Sequence, residues 1–118
     1  PLASEFNYEE VDATTDEFKQ NRELNKWYLE NYQAKGKYKI NSQGRTYILI
    51  GAGQKSTGGY NMEILDITAN DSFITITTEV REPESDQFTT MAITYPHVLI
   101  AIPEDNRSII WEDVTGNK

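Results

Sequence analysis

His97 is the only histidine in this 118-residue chain, so any general base or imidazole metal ligand would have to be that residue. It stands beside Pro96 in an apolar segment. No glycine elbow surrounds Ser56, Ser72, Ser85 or Ser108, and no carboxylate stands at a telling spacing from the imidazole. The pattern predicts a structural or surface histidine. Cysteine is absent, which excludes thiolate nucleophiles, disulfides and cysteine metal ligands. The carboxylates Glu79, Glu82, Glu84 and Asp86 lack the alternating ligand loop with central glycine and terminal glutamate that calcium requires, and they read as a solvated acidic loop. No enzyme, metal or cofactor is expected.

The other stretch that invites chemistry is Gly51-Ala52-Gly53-Gln54-Lys55-Ser56-Thr57-Gly58-Gly59-Tyr60. It places glycines, a lysine and hydroxyls after a strand, but not in the order of a phosphate loop, where glycine directly precedes lysine and hydroxyl and a helix follows. Here a strand follows. A dinucleotide fingerprint fails too, because its third glycine falls on Ser56. What remains is a point where adjacent glycines let the backbone turn sharply and approach a partner closely, just before an aromatic side chain. Residue chemistry leaves two readings open: a hairpin corner, or a binding tip.

The elements that must position this stretch follow from pattern. Residues 1–13 read as a loose lead-in or a short edge strand. Thr14-Thr15-Asp16-Glu17 fits a capping box, and Phe18, Leu24, Trp27, Tyr28 and Tyr32 then recur near the helical period, so an amphipathic helix is expected over about 15–34, closed by Lys35-Gly36. The stripe of Trp and Tyr is read as core packing. Lys37 to Ile40 and Tyr47 to Ile50 read as a hairpin around Asn41-Ser42-Gln43-Gly44. In Tyr60 to Ile67 the apolar positions change face after Ile64, which implies two covered faces or a bulge. Phe73 to Val80 is a β-branched strand with an outer face of threonine, and residues 81–88 form a charged surface loop. A bend is expected at Tyr95-Pro96, a last strand at Ser108 to Glu112, and a frayed tail over 114–118. The expectation is one α+β domain over 1–118. Its helix, within 14–36, packs on about six antiparallel strands over 37–113, forming a curled sheet, roll, small barrel or sandwich.

The net charge of −8 repels nucleic acid and anionic membranes alike, and no apolar run approaches the roughly 20 residues of a membrane-spanning helix. The charge is uneven. Residues 37–69 carry four basic and two acidic side chains, against four and eight before them and three and nine after. Lys37, Lys39, Arg45 and Lys55 are therefore either solvated hairpin charges or a steering patch. The start, Pro1-Leu2-Ala3-Ser4, has neither an initiator methionine nor an apolar signal core, from which a trimmed or mature secreted chain is expected.

The segments Tyr47-Ile48-Leu49-Ile50-Gly51-Ala52-Gly53, Thr57-Gly58-Gly59-Tyr60 with Glu63-Ile64, and Thr94-Tyr95-Pro96-His97-Val98-Leu99-Ile100-Ala101-Ile102-Pro103 resemble the PrcB C-terminal domain family. Where that family usually carries proline before Thr-Gly-Gly-Tyr, this chain has Ser56. The resemblance implies a non-catalytic, extracytoplasmic module, secreted or lipid-anchored at a bacterial envelope, that stabilises or regulates a protein partner such as a subtilisin-like or other extracellular protease. On this reading the partner-binding residues are Lys55, Ser56, Thr57, Gly58, Gly59, Tyr60, Tyr95 and Pro96. The loop is also similar to the Thr-Thr-Gly-Tyr tip of chagasin-type inhibitors, which implies the alternative of a direct protease inhibitor using Ser56 to Tyr60.

Overall fold

Two sheets organise the chain in the computed structural model, which describes residues 6–84 and 91–115. In chain order the elements are β1 (Glu9–Glu10), α1 (Asp16–Gln20), α2 (Arg22–Asn31), β2 (Gly36–Ser42), β3 (Arg45–Gly51), β4 (Asn61–Ala69), β5 (Phe73–Arg81), β6 (His97–Pro103) and β7 (Ser108–Asp113). One sheet has the order β1-β6-β3-β2, the other β4-β5-β7. The start of the lead-in, residues 85–90 of the acidic loop and the segment after it, and the tail at 116–118 lie outside the described residues.

Packing explains why β3 and β6 read as unbroken apolar runs. Ile48, Ile50, Ile100 and Ile102 face the second sheet, where they meet Met62, Ile67, Ile74, Ile76, Val80 and Ile109. Leu49 and Leu99 face the other way and pack with Phe18 and Leu24 from the helices, flanked by Trp27, Tyr28, Tyr32 and Tyr47. A central strand covered on both faces has no polar side to alternate with. The layers are helix pair, first sheet, second sheet. This is the expected α+β arrangement, but the sandwich is open and a barrel is not formed.

The helix expected over 15–34 is broken at Asn21, which stands in extended conformation (φ −83°, ψ 92°) and accepts from the Leu24 N–H to cap α2. Its amide also donates to the Ser42 hydroxyl at 3.0 Å, so the break is held against the end of β2. The first cap is Thr15 and not Thr14: the Thr15 hydroxyl accepts from the Phe18 N–H. Asp12 takes both the N–H and the hydroxyl of Thr14, at 2.9 and 2.6 Å, and removes Thr14 from competition. Lys35-Gly36 is not the helix end either. The C-cap is Tyr32, and Gly36 opens β2.

The β2–β3 hairpin pairs Ser42 with Arg45 across Gln43 and Gly44, whose φ values of 53° and 79° suit the two-residue turn that matches strand twist. In β4 the register shifts between Ile64 and Asp66, so Leu65 is the extra residue of a bulge and turns outward. The strands are not all antiparallel: β5 and β7 run parallel, Phe73 beside Ser108 through Thr78 beside Asp113. Thr75 and Thr77 line the outer face of β5 as expected. Thr78 is fully buried and accepts from the Trp111 indole N–H at 2.8 Å.

Candidate functional site

The stretch from Lys55 to Tyr60 is not a hairpin corner. β3 pairs with β2 and β6, β4 pairs with β5, and residues 52–60 cross from one sheet to the other. The crossing begins at Gly51, where a Cβ would come within 2.9 Å of the Ala34 carbonyl oxygen, so the chain leaving α2 passes directly over the end of β3. The register places Gly51 beside His97. The segment before β6 therefore lies at the same end of the sandwich as the crossing.

The two segments are bonded to each other. Ala52 N–H donates to Pro96 O at 2.9 Å, Lys55 N–H to Thr94 O at 2.8 Å, and Thr94 N–H to Lys55 O at 3.0 Å. The Thr94 hydroxyl donates to Thr57 O at 2.8 Å. Of the adjacent glycines only Gly59 takes a positive φ, 88°, turning the chain into β4. Tyr60 then packs half-buried against the core between the sheets, with the Lys55 ammonium 5.4 Å from its ring centroid. All the sequence-derived candidates thus meet at one end. Ser56 and Gly59 are exposed, Lys55, Thr57, Gly58, Tyr60 and Tyr95 are half-buried, and Pro96 is buried.

His97 ties this end to the helices. The Tyr95 carbonyl can only accept, so its 2.7 Å contact assigns the imidazole proton to Nδ1, and Nε2 is left to accept from the Tyr28 hydroxyl at 2.8 Å. Tyr28 stacks on Tyr32 (centroids 5.0 Å apart), Tyr32 meets Tyr95 edge-on at 5.8 Å, and both helix tyrosines flank the imidazole. Burial pushes the Tyr28 phenol above its usual pKa, with smaller contributions from Tyr32 and Asp12. It is therefore a hydrogen-bond donor and not a base. Sequence reasoning placed Tyr28 and Tyr32 in the core stripe but not beside His97. Their i, i+4 spacing on one helix face was the available signal.

The four cations of residues 37–69 do not form a patch. The Lys37 ammonium donates to Ile109 O and that of Lys39 to Arg107 O, while Arg45 pairs with Glu9 and lies over the Tyr47 ring. Lys55 alone serves the crossing. No carboxylate occurs in residues 52–62 or 91–103 of this otherwise acidic chain. Among the described residues no group of three or more His, Asp or Glu is placed to hold a metal ion, and no helix is long and apolar enough to cross a membrane.

Compared with known proteins, residues 46–103, from β3 through β6, match the family model described as PrcB C-terminal. No curated protein and no solved structure matches the chain.

Proposed function

Over residues 46–103 the chain belongs to the PrcB C-terminal family, and on that premise we propose that it is a non-catalytic protein-binding module of a protease complex. It works outside the cytoplasm, secreted or lipid-anchored at the cell envelope, and stabilises or regulates a subtilisin-like or other extracellular protease. The observation that carries this reading is the bonding of the two motif segments to one another through Lys55 and Thr94. Both lie inside the family match, and together they present one preorganised face. The contact residues are Lys55, Ser56, Thr57, Gly58, Gly59 and Tyr60 with Tyr95, while Pro96 supports them from below.

A role without catalysis is favoured by the state of His97, both of whose ring nitrogens already have partners within the protein. The alternative of a direct inhibitor, inserting Ser56 to Tyr60 into a protease cleft, is less favoured because Tyr60 lies half-buried against the core and does not project.

The test is binding to a subtilisin-like protease by calorimetry, with the Ser56→Arg variant beside the parent chain. Retained protease activity in the complex, with binding weakened by Ser56→Arg, supports the reading. Loss of protease activity that Tyr60→Ala relieves would move the assignment to an inhibitor. A chain that binds no protease, yet takes up a small ligand tightly, would overturn both.

A further inference from the structure

A cavity of about 460 Å3 is walled by the chain from Glu10 to Thr14, by Tyr28 of α2 and by the first residues of β4 and β6. It adjoins the face described above, since Asn61 follows Tyr60 and His97 follows Pro96 directly in the chain. Val11, Met62, Val98 and Leu99 give it an apolar side. Its size falls within the range of roughly 300–1,000 Å3 that small guests occupy.

What its polar side chains have left to offer is one-sided. His97 has committed both ring nitrogens, to Tyr95 O and to the Tyr28 hydroxyl, and Tyr28 has committed its only polar hydrogen to His97. The Thr14 hydroxyl donates to Asp12 Oδ1 at 2.6 Å. Acceptors remain free. Glu10 is exposed and its carboxylate has no partner among the described residues. Asp12 keeps Oδ2, because both bonds from Thr14 fall on Oδ1. Those bonds, the hydroxyl's first and the backbone N–H's second, hold the Asp12 carboxyl below its usual pKa, so it stays ionised at neutral pH. Asn61 alone still has a side-chain N–H to give, its other one lying 3.4 Å from Glu63. Among the described residues no lysine or arginine lines the cavity.

Two exposed carboxylates by themselves are an ordinary solvated feature. Here they border a cavity whose side-chain donors are nearly all used within the protein. A guest bringing a carboxylate or phosphate would meet two negative charges and a single amide donor. A guest with donors only, carried on an apolar stem, suits both the acceptors and the apolar side, and lysine and arginine side chains have that form. Glu10 and Asp12 also line a second cavity, of about 330 Å3, with Glu9 and Glu17, but there Arg45 already supplies a cation and pairs with Glu9.

We infer that the cavity between Tyr28, Asn61 and His97 receives one lysine or arginine side chain of the protein partner, its stem against Met62 and Val98 and its cationic head against Glu10 and Asp12. This rests on the protein-binding reading above and adds the chemistry by which the partner is recognised.

The probe is Nα-acetyl-arginine methylamide, titrated into the isotope-labelled chain and followed by amide chemical shifts, which read weak binding and locate it. Saturable shifts are expected at Asn61, His97 and Val98. The citrulline analogue, which keeps the shape without the charge, should bind about tenfold more weakly, and Glu10→Gln should weaken the arginine probe about threefold. Asn61→Trp fills the cavity from an exposed position and should block the probe, with unchanged melting curves establishing that both variants are folded. Equal binding of the arginine and citrulline probes, or no saturable shift at those residues, overturns the proposal. Binding that Asn61→Trp leaves intact and Glu17→Gln abolishes would move the site to the second cavity. Spermidine bound more tightly than the arginine probe would assign the cavity to a free polyamine, and shifts at the same residues that grow with chain concentration alone would assign it to a second copy. Each of these three results also overturns the proposal. The protease is absent from these titrations, so their failure leaves its calorimetric binding, and with it the protein-binding reading, standing.

Discussion

The Tyr28 hydroxyl lies 2.8 Å from Nε2 of His97, a residue 69 positions further along the chain, and so joins α2 to the first residue of β6. Replacing Tyr28 by Phe keeps the ring stack but leaves a half-buried imidazole nitrogen without its donor. We expect a loss of about 1–2 kcal/mol in urea denaturation at neutral pH. An unchanged midpoint would show that the bond contributes nothing to stability.

The same pair predicts an alkaline effect. Because burial raises the Tyr28 pKa, the folded protein holds the phenol proton more firmly than the unfolded chain does. That stabilisation is complete below the unfolded value of about 10 and is lost as pH climbs through the raised folded value. Stability should therefore fall less steeply above pH ~10 in Tyr28→Phe than in the parent. Parallel curves from thermal melts over that range would refute this.

Asp105 gives the acid counterpart. Its carboxylate accepts from the Arg107 backbone N–H, Nε and Nη2, and the guanidinium bonds hold its pKa below the usual carboxylate value against the opposing effect of burial. The contribution is present above the unfolded pKa of about 3.9 and disappears as pH falls through the lowered folded value. Asp105→Asn should cost about 1–3 kcal/mol at pH 7 and progressively less on acidification. A cost independent of pH would mean that shape, not charge, matters there.

The crossing between the sheets tests backbone demands. Gly51→Ala brings a Cβ against the Ala34 carbonyl and should destabilise by about 1–3 kcal/mol. Gly59→Ala forces an alanine to φ 88° and should cost about 1–2 kcal/mol, whereas Gly58→Ala meets no such constraint. Equal effects at Gly58 and Gly59 would contradict the conformation described.

Thr94→Val removes the hydroxyl bond to Thr57 O but keeps the paired backbone bonds with Lys55. A stability loss of about 1 kcal/mol is expected. Faster dissociation of a bound protein, with an unchanged association rate, should accompany it. Amide exchange at Lys55 that does not accelerate in the variant would show that the hydroxyl is not a restraint.

What could be read in the sequence was what neighbours in sequence decide. The β2–β3 hairpin was legible because Gln43-Gly44 sits between an alternating run and a continuous apolar one, and the Leu65 bulge was half-legible as an apolar pattern that changed face. The break at Asn21 was missed because Phe18 and Leu24 keep nearly one stripe on either side of it, although Asn21 is itself a good cap. Long-range choices left no local trace. Nothing in Ser108 to Asp113 says that β7 runs parallel to β5, and nothing in Lys55 to Tyr60 separates a hairpin turn from a passage between sheets. The candidate site residues were chosen through their motif, and the fold brings the two segments that carry them together. Tyr28 was not singled out beside His97, because only a contact made by the fold brought the two together.

The Lys37 and Lys39 ammonium groups that reach Ile109 O and Arg107 O have a consequence for how copies of the chain behave when crowded. Those carbonyls lie along the open margin of the second sheet, where an incoming strand would seek its first acceptors. Each is already held by a cation that repels the lysines of a second molecule arriving in the same orientation. The seam between β2 and β7 is thus guarded against polymerisation by the side chains that close it.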